Sequence, residues 1–209
     1  MKIDYSHPNF GPFLFKGKLP KNIIDKLLLE GKKCNQSFNF SLAGHLENQF
    51  AYPKDIQEWF YSEFTPYLRA YREGHCRYHK LDLRVPVEMN AGDLWVNFMN
   101  PGDFNPSHTH SNDLSFVVYL EVPEEIHQEA EDFEGTANKP GSISFDFTQH
   151  ARPKWATTGV TYMPKTGDFF IFPALLAHWV APFKSKVQRV SISGNISYTN
   201  RNKFPPGYF

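Results

Sequence analysis

The sequence predicts a mainly β protein, a sandwich or barrel with two helices ahead of it. Three observations carry this. From Leu83 onward, apolar residues recur with a period of two in short runs. Turn-forming clusters separate the runs: Asn100-Pro101-Gly102, Lys139-Pro140-Gly141 and PKTG at 164–167. Aromatic residues make up 16% of the chain, with 20 Phe and 10 Tyr beside 16 Pro, a composition that favours sheets and turns over helix bundles.

Each element follows in order. Residues 1–19 mix Pro, Gly and Phe and read as an extended arm or first strand. Pro20 opens a helix in which Ile23, Ile24, Leu27 and Leu28 share a face, and Gly31 suits its end. Residues 35–52 are polar, with Phe38, Phe40 and Leu42 alternating, and read as a strand plus loop. A second helix is expected from about Pro53 to Tyr71, with Ile56, Trp59, Phe60, Phe64 and Leu68 on one stripe and a kink at Pro66. The run HCRYHK at 75–80 reads as a polar connection after it. Strands are expected at 94–100, 115–122, 142–147, 158–162, 167–172, 178–181 and 187–198. The acidic stretch 124–138 reads as a solvated loop or short helix, and FPPGYF at 204–209 as an extended packing segment. The two helices should pack outside one sheet.

Bulk properties exclude several classes. The 22 Lys and Arg balance 22 Asp and Glu, so no global basic field draws nucleic acid or anionic membrane. The longest apolar helical stretch, 23–29, is far too short to span a bilayer. MKIDYSHPNF lacks an apolar signal region. Cys34 and Cys76 form no paired motif and read as reduced thiols. Together these predict a cytoplasmic protein that binds neither nucleic acid nor membrane.

Three of the nine histidines stand out by context. His108 and His110 follow a turn-rich segment, and His178 follows the apolar run GDFFIFP at 167–173. In extended chain, residues two apart point the same way, so His108 and His110 can aim at one cation. A distant third ligand would complete one face of an octahedron and leave positions open for substrate and oxygen. Spacing alone favours an accidental pair; the surrounding context changes that weighting. Downstream, Arg189, Ser191 and Ser193 share one face of a strand, with Val190 and Ile192 on the other. An arginine facing inward calls for an anion, and a bidentate carboxylate is its natural partner; a surface-facing strand is the alternative. Tyr119 places a hydroxyl in an apolar strand, where a plain core tyrosine is the other role. Trp95, Asn97 and Met99 share one face of their strand, and Val96, Phe98 and Asn100 the other. Trp179 should point away from the site of His178, and His45, His75, His79, His127 and His150 read as surface residues.

Taken in order, Asn100-Pro101-Gly102, His108-Thr109-His110, FVVYL at 116–120, GDFFIFP at 167–173, His178 and Arg189 resemble the iron(II)- and 2-oxoglutarate-dependent oxygenases, in particular the prolyl-hydroxylase-like branch with small bacterial and phage members. SLAGH at 41–45 also looks like the N-terminal part of the phage type. The resemblance implies a single domain at 1–209. A helical or extended support region would occupy 1–82, and a double-stranded β-helix, or jelly roll, 83–209. It implies Fe(II) bound by His108 and His178, and 2-oxoglutarate held through its distal carboxylate by Arg189 and Tyr119. Ser191 and Asn97 are expected as further cosubstrate contacts, with packing in the strand as the other role of Asn97. It implies that O2 is consumed, that succinate and CO2 are released, and that a C–H bond is hydroxylated. The substrate expected from the resemblance is a peptidyl proline, with a free amino acid or small metabolite as the other class.

One departure stands out. The family motif carries Asp or Glu where this chain has His110. Substituting a neutral imidazole for a carboxylate raises the summed charge of iron, ligands and cosubstrate from about −1 to about zero. Asp113 is the alternative third ligand, but it lies five residues past His108 and off its face. Two rivals remain: a cupin-type three-histidine dioxygenase or isomerase that does not use 2-oxoglutarate, and a non-catalytic jelly-roll binding module.

Overall fold

The computed structural model describes residues 11–39, 42–83, 87–147 and 158–199. They form strands β1 (Phe15–Lys18), β2 (Asn48–Ala51), β3 (Met89–Met99), β4 (Asn105–His108), β5 (Leu114–Glu121), β6 (Ile143–Asp146), β7 (Gly159–Tyr162), β8 (Asp168–Pro173), β9 (Ala177–Val180) and β10 (Arg189–Tyr198). Helices α1 (Lys21–Gly31), α2 (Lys54–His79) and α3 (Glu124–Glu131) interrupt them. The strands make a six-stranded sheet in the order β1-β8-β5-β10-β3-β2 and a four-stranded sheet in the order β4-β9-β6-β7. Every pairing is antiparallel. From β3 on, the chain passes repeatedly between the two sheets, which is the jelly-roll path. The larger sheet is buried on both faces. Val96, Phe98, Phe116, Val118, Leu120, Phe169, Ile171, Val190 and Ile192 pack against Ile23, Ile24 and Leu27 of α1 and Phe60, Phe64 and Leu68 of α2. The opposite residues of the same strands, among them Met99, Tyr119, Phe170 and Phe172, face the smaller sheet. Period two therefore divides each strand between a helix-backed core and the space between sheets.

Proline begins each helix, though not as its first helical residue. Pro20, Pro53 and Pro123 are the N-caps, with φ near −60° and ψ of 147°, 152° and 148°. This extended geometry costs proline nothing, and its missing N–H leaves no orphan donor. At Gly17 a side chain would displace its neighbour: a Cβ there would lie 2.4 Å from the Phe169 ring on the paired strand β8, and that ring would have to shift.

Three expectations need correction. The second helix does not stop at Tyr71, and 75–80 is not a polar connection: α2 runs through His79. Tyr71 and Cys76 continue its buried stripe, and along it the His75 ring stacks on Tyr71 and meets the His79 ring at a tilt. The helix ends where Lys80 turns left-handed at φ 59° and the Leu81 N–H returns to the Cys76 carbonyl. His75 is half-buried rather than exposed, against Phe13 and Tyr71. In the region 35–52, the strand is Asn48–Ala51, with a lone bridge from Ser37 to Phe50; Phe40 lies outside the described residues. His150 and 204–209 also lie outside them. The acidic stretch does hold a short helix, α3, which buries Ile126 and Ala130. Among the described residues no helix is long and apolar enough to cross a membrane.

Helix α3 is tied down by one carboxylate. Glu129 accepts from the backbone N–H of Lys184 and Ser185 and from the Ser185 hydroxyl. Burial pushes its pKa up, but these donors outweigh burial and leave it lowered. A lowered carboxylate stabilises the fold above its ordinary value of 4.5, and the contribution is lost as pH falls through the folded value. Glu129→Ala should therefore lower the Tm at neutral pH, and its difference from wild type should shrink on acidification below 4.5 in pH-resolved melts. Phe116, 1% exposed among Phe60, Tyr61 and Phe64, anchors α2 to the sheet. Phe116→Ala should cost about 3–5 kcal/mol in urea unfolding.

Candidate active site

The site begins with a strand pair. β4 and β9 place His108 directly opposite His178 across the smaller sheet. Their ring centroids are 4.2 Å apart. His110 lies two residues beyond β4, where its backbone N–H donates to the Ala174 carbonyl at 2.9 Å. Its Nε2 is 3.4 Å from Nε2 of His178. One ring nitrogen from each histidine falls within 4.8 Å of the others.

Two of these rings are oriented by their own strands. His108 Nδ1 lies 2.7 Å from the Pro106 carbonyl, and His178 Nδ1 lies 2.9 Å from the Leu176 carbonyl. A carbonyl only accepts, so both Nδ1 atoms carry the proton and each Nε2 keeps its lone pair for the shared space. Phe172 and Phe145 flank the His178 ring. Burial, then the neighbouring His108, pushes the His178 pKa down to about 3; the same two causes hold His110 at about 4. Both rings are thus neutral at physiological pH, the form that ligates metal.

The predicted alternative ligand is elsewhere. Asp113 uses its carboxylate to accept the Tyr198 N–H at 2.7 Å, and its backbone bonds to Ile196 and Ala174. It borders a separate small cavity beside Tyr71 and Arg72. It is not part of the histidine group.

The histidines open on a cavity of about 140 Å³ between the sheets, also lined by Asn97, Tyr119, Arg189 and Ser191. All four were expected from sequence, and the structure brings them together. Arg189, at the start of β10, is 3% exposed. Its Nη1 donates to the Gly141 carbonyl at 2.8 Å, and Nη2 faces the Met99 sulfur, a weak acceptor, at 2.8 Å. Gly141 adopts φ +73°, and a side chain there would strike Ile126, so glycine is required at this carbonyl. No carboxylate pairs with Arg189 among the described residues. Its guanidinium carbon is 5.3 Å from the Tyr119 ring centroid. Both Arg189 Nε and the Tyr119 hydroxyl are buried without a partner. Burial pushes Tyr119 up to about 12, partly offset by Arg189, and lowers Arg189.

These residues fit a metal and an anionic chelator. Three convergent imidazoles suit a divalent first-row metal. A buried cation and a buried phenol, each with an unused donor, suit a carboxylate. Such an arrangement can hold a metal and a keto-acid side by side in a place shielded from water.

Sequence reasoning missed Gln49. It is buried and lines the same cavity. Its position depends on edge strand β2 pairing with β3, where Gln49 lies opposite Asn97, and nothing in its local sequence signals this. Trp179 points away from the histidines and lines a separate groove with Phe183, as alternation predicts.

Fold and site together define a non-haem metal oxygenase of the jelly-roll type. Residues 93–195, just under half of the chain, match the family described as "Putative 2OG-Fe(II) oxygenase", and this span is an iron(II)/2-oxoglutarate oxygenase domain. No curated protein matches it significantly. Three solved structures share the fold. A prolyl-4-hydroxylase from Pseudomonas putida has 13% identity over 88% of this chain and 91% of its own, at a TM-score of 0.52. The viral collagen prolyl hydroxylase from Paramecium bursaria Chlorella virus-1, as its 2-oxoglutarate complex, has 16% identity over 89% and 96%, at 0.55. HygX from Streptomyces hygroscopicus, with nickel and 2-oxoglutarate bound, has 8% identity over 90% and 83%, at 0.57. At these identities the likeness is one of fold. The chain is an oxygenase that depends on iron and 2-oxoglutarate.

Tyr119→Phe removes a buried hydroxyl that has no partner in the ligand-free protein. Unfolding of that protein in urea should show no loss, and a gain of up to about 1 kcal/mol.

Proposed function

We propose that the chain hydroxylates a C–H bond of a peptidyl proline, with iron held by His108, His110 and His178 and with the distal carboxylate of 2-oxoglutarate on Arg189. The observation that carries the cosubstrate assignment is the pair of unused donors, Arg189 Nε and the Tyr119 hydroxyl, in the cavity shared with the histidines. Bound together, iron and 2-oxoglutarate supply the oxidising chemistry: O2 is consumed, the keto-acid leaves as succinate and CO2, and one oxygen atom enters the substrate C–H bond.

The chain's own residues hold and orient. His108 and His178 present Nε2 in a fixed tautomer, set by the Pro106 and Leu176 carbonyls. His110 supplies the third nitrogen in place of the family's carboxylate. Gly141 and Met99 fix the guanidinium so that Nε is left for the cosubstrate. Tyr119 donates its proton to the same carboxylate, and its raised pKa keeps that proton in place. Ser191 and Asn97 line the path between. Phe145, Phe172, Ile143 and Val180 bury the other side and exclude water. No general acid or base is needed. The peptidyl proline rests on the motif resemblance, supported by a fold shared with proteins named as prolyl hydroxylases.

Anaerobic addition of Fe(II) and 2-oxoglutarate should produce a weak visible charge-transfer band. Arg189→Ala should raise the 2-oxoglutarate concentration needed for it by at least about tenfold, the worth of one charge-assisted contact. His110→Ala should lose stoichiometric iron by metal analysis while Asp113→Ala retains it; unchanged binding in the first removes His110 from the ligand set. Succinate should form from 2-oxoglutarate in step with hydroxylated substrate.

A further inference from the structure

The proposed chemistry leaves one buried polar atom of the cavity unused. Gln49 is 2% exposed. Its Nε2 donates to Asn97 Oδ1 at 2.7 Å, and Asn97 Nδ2 donates to Ser193 Oγ at 3.3 Å. Gln49 Oε1 has no partner. A buried acceptor without a donor is costly unless something arrives to meet it.

Register places this atom. Gln49 is opposite Asn97, Asn97 opposite Ser191, and Ser191 opposite Tyr119, so the four form one row across β2, β3, β10 and β5. Unpartnered atoms sit at its two ends: the Tyr119 hydroxyl beside Arg189, and Gln49 Oε1. The ends are three strand spacings apart, roughly 14 Å. One five-carbon diacid anchored on Arg189 does not serve both.

Charge restricts what Gln49 can take. No Asp or Glu lines the cavity among the described residues, and Arg189 is the one side chain there with a fixed charge. An ammonium entering at the Gln49 end would find no counter-ion. An amide oxygen accepts well from a neutral N–H. The cavity of about 140 Å³ is also well below the roughly 300–1,000 Å³ of pockets that engulf a drug-sized ligand, so a substrate presents one group to it. Leu42, Ala43, Gly44 and Leu46, which lead into β2, wall this end without adding charge.

We propose that Gln49 is the substrate-recognition residue of this cavity, and that its Oε1 accepts a hydrogen bond from an uncharged amide N–H of the primary substrate. The substrate is then a blocked, peptide-like amide and not a free amino acid. The proposal rests on the reading that iron and 2-oxoglutarate share the cavity. It assigns recognition to β2, which lies outside the matched span 93–195. Asn97 acts here as a positioning residue, holding the Gln49 amide through its Nε2.

The test uses the full chain loaded anaerobically with Fe(II) and 2-oxoglutarate, with the charge-transfer band as readout. The probes are N-acetyl-L-prolinamide, its N,N-dimethylamide and free L-proline. The primary amide should perturb the band with a Kd about tenfold below that of the dimethylamide, which lacks the N–H, and free proline should leave the band unmoved. In Gln49→Leu the two amides should bind equally. Gln49→Glu keeps the shape, places a carboxylate at the same point and should turn the preference toward the ammonium of free proline; it serves where the leucine variant fails to fold. Tm and the band before probe addition establish that each variant is folded and loaded. Equal Kd values for the two amides in the wild type, no response to either, or a preference that survives in Gln49→Leu overturns the assignment while the band itself stands. A wild-type band that never forms overturns the iron and 2-oxoglutarate reading, and the subsite with it.

Discussion

A guanidinium enclosed between two sheets, with no carboxylate among the described residues to meet it, sets the terms for everything around it. An arginine keeps its charge at physiological pH, and at Arg189 burial makes that charge expensive. The structure tolerates it with one backbone carbonyl, one thioether and the face of a tyrosine ring. None of these carries a negative charge. The strand that bears Arg189 must then do two things at once. Its other face, Val190 and Ile192, is sealed into the helix-backed core, so the arginine cannot swing out to water without pulling the strand from that core. The anion has to come to the arginine.

The helices matter to function for this reason, although they touch no reacting group. α1 and α2 cover the outer face of the larger sheet with Ile23, Leu27, Phe60 and Phe64, and this cover fixes which residues of β3, β5 and β10 are left to face inward. A one-residue slip in β10 would exchange Arg189 and Ser191 for Val190 and Ile192. Register is therefore a functional quantity here, and the aromatic packing on the far side of the sheet enforces it.

Much of this was legible in the chain. Alternation in SFVVYLE and RVSIS gave both the strands and their faces, because a sheet buried on both sides still separates polar from apolar residues where one side is a site. Histidines two apart, and a third after an apolar run, marked the three rings that the fold brings within 4.8 Å of one another. What was not legible depends on long-range pairing. β4 contains Pro106 and lacks alternation, and it is a strand because β9 pairs with it. Gln49 reaches the cavity through an edge strand of four residues with no distinctive pattern. The continuation of α2 was obscured by the polar residues of HCRYH, since only Cys76 among them is buried. Asp113 and His110 were separable in principle by strand parity, and the geometry follows parity: the carboxylate serves the backbone of Tyr198.

The bonds from Pro106 to His108 and from Leu176 to His178 each stay within a single strand, two residues apart. In many metalloproteins the outer nitrogen of a ligand histidine rests on a carboxylate, and exchanging that side chain adjusts how strongly the ring donates. Here the prop is main chain, and main chain is not mutable. Sequence drift can alter what surrounds these two imidazoles but cannot retune their basicity through a partner. The freedom to adjust the electronics of this centre is left to the third corner of the triangle, position 110, and there the chain has already departed from its family.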